Sequence, residues 1–466
     1  MSDEQRRQDL QRASDLVPVT ELDFNAVLRD VRRRLVMETA AATLIVLTIC
    51  TLFGWIAFLV HGAVGNQGSI QGLLRPAPSG PMMRGEDLIV GIPISLTGAQ
   101  SREGAFAKQG YDMWVDWINS QGGVAVRGVR HRVKLVYSDD QSGPTLSAQV
   151  TQSLITNEKV RFLLGSSAPG TIASEAMVAE NNRIPLVQGN GAAVSIFSRG
   201  YKYTFGVLSP ANQYVTSILD MAAAQNPRPS TVALLSADDS FSQEVAAAAL
   251  DHAPTKGFKV VVNQKYPNGA TDLSGFISEV KAKTPDILLN AGHLDEAIAI
   301  NKAARNLKLD AKIIAYTIGP SVPDFLQVLG KDANFVYGSS QWTPHVQYKA
   351  SFYLSVGEYT AAYKKKYRTK EDPHYHVAGA TAAALALQKA IEGADSLEPG
   401  KVRDGLARLD VTTFYGRITF DDRGINSAKP MLVEQIQDGR HHTVWPASMA
   451  DVRPQYPTPS WTERTT

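Results

Sequence analysis

Cysteine is almost missing from this chain: Cys50 is the only one in 466 residues. A single thiol excludes an intrachain disulfide and any multi-cysteine metal site. Net charge is nearly missing too. A formal +2 at pH 7 gives no electrostatic footprint for nucleic acid. The signatures of several enzyme classes are also lacking: no G-x-S-x-G elbow, no H-E-x-x-H, no G-x-x-x-x-G-K-[ST] phosphate loop and no G-x-G-x-x-G. The sequence therefore predicts neither an enzyme nor a cofactor protein. His374-Tyr375-His376 and His441-His442 have no clustered acids or thiols beside them, and read as surface or packing histidines rather than metal ligands.

Long apolar runs are equally scarce, with one exception. Thr39 to Val60 holds 22 residues without a charge, enough to cross the roughly 30 Å hydrocarbon layer as a helix. Arg29, Arg32, Arg33 and Arg34 precede it, whereas the next Lys or Arg after it is Arg75. The positive-inside rule then puts residues 1–38 in the cytoplasm as a short tail, 39–60 in the membrane as an uncleaved single-pass anchor, and the rest outside. The block starts late and is long for a cleaved signal. Residues 61–87, rich in Gly, Pro and Ser, read as a flexible tether, and 447–466, rich in Pro and Thr, as a disordered tail.

What remains is a body of alternating strands and helices. Leu88 to Ile94 reads as a buried strand, followed by a helix whose inward face is Phe106, Gly110, Met113, Trp114, Trp117 and Ile118 and which stops at Gly122-Gly123. Strands and helices then alternate to Lys312–Tyr316 and imply parallel sheets covered on both faces, in two lobes. Later come a strand at Phe335–Gln341, helices near Ser351–Tyr367, His376–Glu392 and Pro399–Leu409, and a strand with a turn over Gly416–Gly424. That strand is expected to pair with Met431–Gln437, and His441–Trp445 adds another.

Two junctions organise the body, Phe162-Leu163-Leu164-Gly165-Ser166-Ser167 and Ile184-Pro185-Leu186-Val187-Gln188-Gly189-Asn190. Each is an apolar run that stops at Gly and small polar residues. The carboxyl ends of parallel strands form the ligand crevice of an open α/β sheet, and the helix start after the first junction offers free N–H groups. Ser167 is therefore a candidate ligand contact; the alternative is that Ser166 and Ser167 only cap that helix.

The segments GIPISLTGAQSREGAFAKQGYDMWVDWINSQGGV, VRFLLGSSAPGTIASEA, RIPLVQGNGAA, VALLSADDSFSQEVA and DILLNAGHLDEAIAINKAARNLKL, in this order, resemble the leucine/isoleucine/valine-binding family of periplasmic type I solute-binding proteins. The resemblance spans about residues 88–446. It implies a two-lobed α/β fold with two parallel sheets and three crossovers, a first lobe of 88–208 plus 340–412 and a second of 209–339 plus 413–446, closing on a small molecule. Carried over position by position, it puts the carboxylate-binding serine on Ser167, next to Ala168. A backbone contact falls on Asn190 and a threonine contact on Ala192, which has no hydroxyl. The family's two tyrosines fall on Phe241 and His293, and its ammonium-pairing acid on Thr317, where no acid stands; Asp238 and Asp239 are nearby substitutes.

The resemblance implies a substrate-binding subunit serving an ABC permease, and the apolar run at 39–60 is expected to hold it at the cell membrane with its body in the periplasm or extracellular space. The alternative is a ligand-sensing domain docked to a membrane signalling partner; neighbouring permease or kinase genes would separate the two. A reporter active only outside the cytoplasm is expected to work when fused after residue 70 and to fail at residue 30. Recovery of mature protein starting near residue 62 would show instead that the apolar segment is removed.

Overall fold

The run Leu88–Ile94 is apolar along its whole length because both of its faces are covered. In the computed structural model, which describes residues 83–465, this strand (β2) lies between two parallel neighbours. They are Val133–Asp139 (β5) and Phe162–Leu164 (β6). Leu186–Gln188 (β7) and Thr204–Gly206 (β8) continue the sheet in the order β5-β2-β6-β7-β8, all parallel. The second sheet runs β10-β9-β11-β12-β13-β16-β17. Its parallel part is Thr231–Ala237 (β9), Lys259–Tyr266 (β10), Ile287–Ala291 (β11), Ile313–Tyr316 (β12) and Tyr337–Ser340 (β13). Leu432–Gln437 (β16) and Arg440–Trp445 (β17) are antiparallel additions at the edge.

Helices cover both sheets. On the first lobe, Ser101–Ser120 (α1) buries Gly110, Met113, Trp114 and Ile118 against Tyr375–Ala394 (α10). The two helices approach so closely that a Cβ on Gly110 would lie 2.2 Å from the Val377 carbonyl oxygen. The same small-residue helix meets the end of β7, where a Cβ on Gly189 would lie 2.1 Å from the Gly379 oxygen. Only side-chain-free positions allow that contact, and it sets the start of α10 beside the loop after β7.

The chain changes lobe three times, and one knot joins the three crossings. The Ser209 N–H donates to Gln341 Oε1 (2.9 Å) and Gln341 Nε2 donates back to the Ser209 carbonyl (2.8 Å). The Ser209 hydroxyl donates to the Lys429 carbonyl (3.0 Å), and Lys429 Nζ donates to the Gln341 carbonyl (2.6 Å). The Lys429 ammonium is buried, 4.8 Å from the centre of the Tyr415 ring.

Several expectations are corrected. Gly416–Thr419 (β15) does not pair with Met431–Gln437; it forms its own hairpin with Asp410–Thr413 (β14). The fully buried Leu432–Gln437 instead joins the second sheet between β13 and β17. The hairpin packs Val411, Phe414, Tyr415 and Ile418 into the first-lobe core, with Phe414 stacked 3.9 Å from Tyr359, so the last crossing falls after Asn426 rather than at 412. An unforeseen hairpin, Val124–Val126 (β3) and Val129–His131 (β4), turns at Arg127 (φ 51°) and Gly128 (φ 75°), both left-handed as a two-residue hairpin turn requires. Helix Pro323–Leu329 (α8) was not foreseen either, and the helix ending at Tyr367 starts only at Val356 (α9), where Ser355 and Glu358 form a capping box.

The segment after Ala447 is not a loose tail. Trp461 is buried on the second lobe, its indole donating to the Leu309 carbonyl (2.9 Å) under the Arg464 guanidinium. At the other end, Met83–Arg84 (β1), the end of the expected tether, pairs with Val129–Arg130. The 39–60 apolar run, the 1–38 tail, Cys50 and most of the tether lie outside the described residues. Among the described residues no helix is long and apolar enough to cross a membrane.

Burial lowers the Lys429 amine from an ordinary 10.5 to about 7. A base lowered in the folded state leaves the unfolded chain holding the extra proton between those values, so stability rises with pH across that window. Lys429→Met is expected to flatten that rise by at most about 1.4 kcal/mol per pH unit in urea unfolding between pH 7 and 9. Parallel pH profiles for variant and parent would disprove the assignment.

Candidate functional site

The loop that follows β6 is held from behind by two buried carboxyl groups. Asp140 accepts from Ser95 Oγ (2.7 Å) and Ser166 Oγ (2.9 Å), and Glu175 accepts from the Ser166 N–H (3.1 Å) and Ser147 Oγ (3.0 Å). Burial, reinforced by the charge of Asp140, pushes the Glu175 carboxyl well above its usual value, although the Ser166 and Ser147 bonds oppose this. The network fixes Ser166 and leaves Ser167, 3 % exposed, with a hydroxyl that has no partner. Neither serine caps the following helix, Pro169–Asn182 (α3): its N-cap is Ala168, without a side-chain bond. The capping alternative for Ser166 and Ser167 is thereby excluded.

The loop after β7 is closed by its own glutamine. Gln188 Oε1 accepts from the N–H groups of Asn190 (2.9 Å) and Gly191 (2.7 Å), and its Nε2 donates to the Gly191 carbonyl (2.9 Å). The Asn190 backbone N–H, expected as a ligand contact, is therefore occupied. The Asn190 side-chain amide is free instead, buried, with neither Oδ1 nor Nδ2 partnered. Ala192 packs its methyl against Leu208, Ala211 and Tyr214.

From the second lobe, Phe241 stands in the first turn of Ser240–Thr255 (α5), edge-on to Tyr214 at 5.2 Å and 5.8 Å from the His293 ring. His293 precedes Leu294–Asn306 (α7) and bonds Asp239 Oδ2 through Nε2 (3.1 Å). Burial alone would lower the His293 value, but the Asp239 bond and charge, with Glu296 and Glu103, raise it. Asp239 also caps α5 by accepting from the Ser242 N–H (3.0 Å), while Asp238 pairs with Lys265 (3.1 Å) at the surface. The Thr317 hydroxyl donates to the Gly292 carbonyl (2.9 Å) and accepts from the Gly292 N–H (3.0 Å), tying the ends of β11 and β12. It has no free donor for a ligand.

Residues that the sequence reading passed over complete the cleft. His374, Tyr375 and His376 open α10: His374 stacks on Phe106 (4.9 Å), Tyr375 on His376 (4.2 Å), and the two Nδ1 atoms of the histidines lie 2.9 Å apart. Burial holds both histidines neutral, lowering His374 far below its usual value and His376 to about 3. One Nδ1 therefore carries the proton that the other accepts. His374 Nε2 and the Ser321 hydroxyl, from the other lobe, both lack a hydrogen-bond partner. The signal available in the sequence was the position of three adjacent rings at the start of a helix whose first turns are small and uncharged.

The lobes meet around these groups. Arg102 in the first turn of α1 pairs with Asp324 in the first turn of α8, and Glu244 of α5 accepts from the N–H groups of Val194 (2.7 Å) and Ser195 (3.1 Å). Four buried polar groups are thus unpartnered: Ser167 Oγ and the Asn190 amide, just after β6 and β7, His374 Nε2 at the start of α10, and Ser321 Oγ in the loop after β12. Four such groups are costly unless a ligand or water bonds them. A separate hollow of about 470 Å³, lined by Asn212, Thr216, Glu244 and Asp251, contains none of them. Among the described residues no three His, Cys, Asp or Glu converge on a metal position; His441 and His442 pair with Glu434 (3.3 Å) and Asp451 (2.9 Å).

Comparison with known proteins agrees with this architecture. The family model described as periplasmic binding protein matches residues 88–440. Leu/Ile/Val-binding protein homolog 8 of Brucella abortus (strain 2308) is 22% identical over 380 residues, 78% of this chain and 92% of the relative. Homolog 7 from the same strain is 22% identical over 375 residues, 78% and 91% of the two chains. Among solved structures, LivJ of Streptococcus pneumoniae in complex with isoleucine superposes with a TM-score of 0.66 at 21% identity, over 76% of this chain and 97% of that one. A solute-binding protein from R. palustris in complex with benzoate gives 0.65 at 15%, over 79% and 98%. With the family model spanning residues 88–440, this chain belongs to the type I periplasmic binding proteins of the Leu/Ile/Val-binding family, which bind solutes and are not enzymes.

Proposed function

We propose that the protein is a membrane-anchored, extracytoplasmic solute-binding subunit that closes its two lobes on a small polar organic molecule and delivers it to an ABC permease. The observation that carries this reading is the set of buried, unpartnered polar groups on Ser167, Asn190, His374 and Ser321. The anchor rests on the uncharged run 39–60 and its arginine asymmetry.

The cleft chemistry narrows the molecule. The Ser167 hydroxyl and the Asn190 amide can donate to a carboxylate or carbonyl oxygen, and the neutral His374 offers one further polar atom. Phe106, Tyr214, Phe241 and the histidine rings supply flat apolar walls. For an ammonium the cleft is poorly provided: Thr317 is no acid, Asp239 is tied to His293 and Asp324 to Arg102. Glu103, in the first turn of α1 and close enough to influence His293 and Tyr375, is the acid left for an amine-bearing ligand. Isoleucine in the LivJ complex and benzoate in the R. palustris complex bracket the two classes.

In calorimetric titrations, a small carboxylic acid or amide, with benzoate as the aromatic probe, is expected to bind at least as tightly as leucine. Ser167→Ala should weaken binding by roughly 1 to 3 kcal/mol. Tight leucine binding with no response to acids or amides, and none to Ser167→Ala, would refute both the ligand class and the site.

Closure follows from differential affinity: a ligand that touches both lobes favours the arrangement in which they meet. Scattering should therefore show a smaller radius of gyration with saturating ligand, and Arg102→Ala, which removes a half-exposed pair made only between lobes, should weaken binding by up to about fivefold. An unchanged radius at saturation would count against the flytrap mechanism.

A further inference from the structure

Away from the cleft, at the amino-terminal end of β8, Lys202, Thr204, Arg403 and Arg423 help line a hollow of about 320 Å³ that also includes Asp421 and Asp422. We infer that this hollow is a second binding site, for a small phosphate-type oxyanion. The reason lies in two buried donors that have no acceptor. The Thr204 hydroxyl, 1 % exposed, has no hydrogen-bond partner, and neither does Arg403 Nε, which can only donate. Both are costly to leave unmade, and both call for an oxygen.

The surrounding charges fit the same requirement. The Arg403 guanidinium lies 5.4 Å from the Tyr203 ring and reaches Asp404 through Nη2 alone (3.0 Å). Lys202 Nζ touches only the Asp422 backbone carbonyl (3.4 Å), so an ammonium with three donors keeps capacity for an anion. Arg423 is already committed, donating to Asp421 Oδ2 through Nε (3.1 Å) and Nη2 (2.8 Å). That pair neutralises Asp421, and the Asp422 carboxylate has no ion-pair partner, so the donors left for an oxyanion are Lys202 Nζ, Arg403 Nε and the Thr204 hydroxyl. A guanidinium, an ammonium and a hydroxyl around one space suit a tetrahedral oxyanion with several acceptor oxygens.

The place of the hollow suggests two sources for such an anion. β2 and β8 are parallel strands of one sheet, so Thr204 lies at the same end as Leu88, the first residue of β2, and the headgroup source rests on the membrane anchoring proposed above. A phospholipid headgroup and a free phosphate share the chemistry. The test uses the full chain in detergent and phosphate-free buffer, with inorganic phosphate and glycerol 3-phosphate titrated in parallel by calorimetry. Saturable binding is expected that Arg403→Gln and Thr204→Val each weaken about tenfold, that the exposed Lys202→Gln also weakens without touching the fold, and that Ser167→Ala leaves intact because it does not use the cleft. Tighter binding of the ester would assign the hollow to a headgroup, and tighter binding of the inorganic ion to free phosphate. No saturable binding of either, or binding that survives all three variants at the hollow, would overturn the inference.

Discussion

The knot of Ser209, Gln341 and Lys429 is the contact on which the two-lobed arrangement depends. Three separate stretches of chain pass between the sheets at this point, and each would expose backbone polar groups in a narrow, dry neck. Gln341 satisfies both backbone groups of Ser209, while Lys429 fills the gap beside Tyr415 and satisfies the Gln341 carbonyl. The arrangement joins the crossings by side-chain contacts as well as by peptide bonds. A further bond carries it towards the ligand: Gln341 Nε2 also reaches the Tyr214 hydroxyl (3.1 Å), and Tyr214 stands edge-on to Phe241.

On the first lobe the same economy of polar groups selects which atoms face a ligand. Asp140 and Glu175 hold Ser95, Ser147 and Ser166, and Gln188 binds the backbone of Asn190 and Gly191, so the loops are tied by bonds within the lobe. The atoms left over are the Ser167 hydroxyl and the Asn190 amide. A site built this way gives orientation without reorganisation, and its polarity is set by what the supporting network does not use.

Much of this was legible in the sequence. Parallel strands covered on both faces leave continuous apolar runs such as Leu88–Ile94 and Ile287–Ala291, and those are read without ambiguity. Antiparallel pieces were harder: Leu432–Gln437 mixes Glu and Gln with aliphatic residues, and nothing local says that its partner is β13 rather than the nearby β15. The C-terminal segment has the composition of a loose tail, but its tryptophan, Trp461, finds a slot beside Leu309 that no composition reveals. At the candidate site, Ser167 was singled out from a strand end, and Asn190 and Phe241 from the family resemblance, whereas the hydrogen-bonding state of each atom was not legible. Whether Thr317 or the Asn190 N–H is free depends on Gly292 and Gln188, and the ring stack at His374–His376 exists only because α10 is pressed against α1.

The strap that ends at Trp461 has a consequence for how this molecule could be observed and harnessed. The chain enters its body on the first lobe, at Met83–Arg84, and its last described residues are fastened to the second. These two attachment points therefore sit on different lobes. Under the proposed closure, fluorophores placed at them would change separation as the cleft shuts, which is the layout of a genetically encoded biosensor.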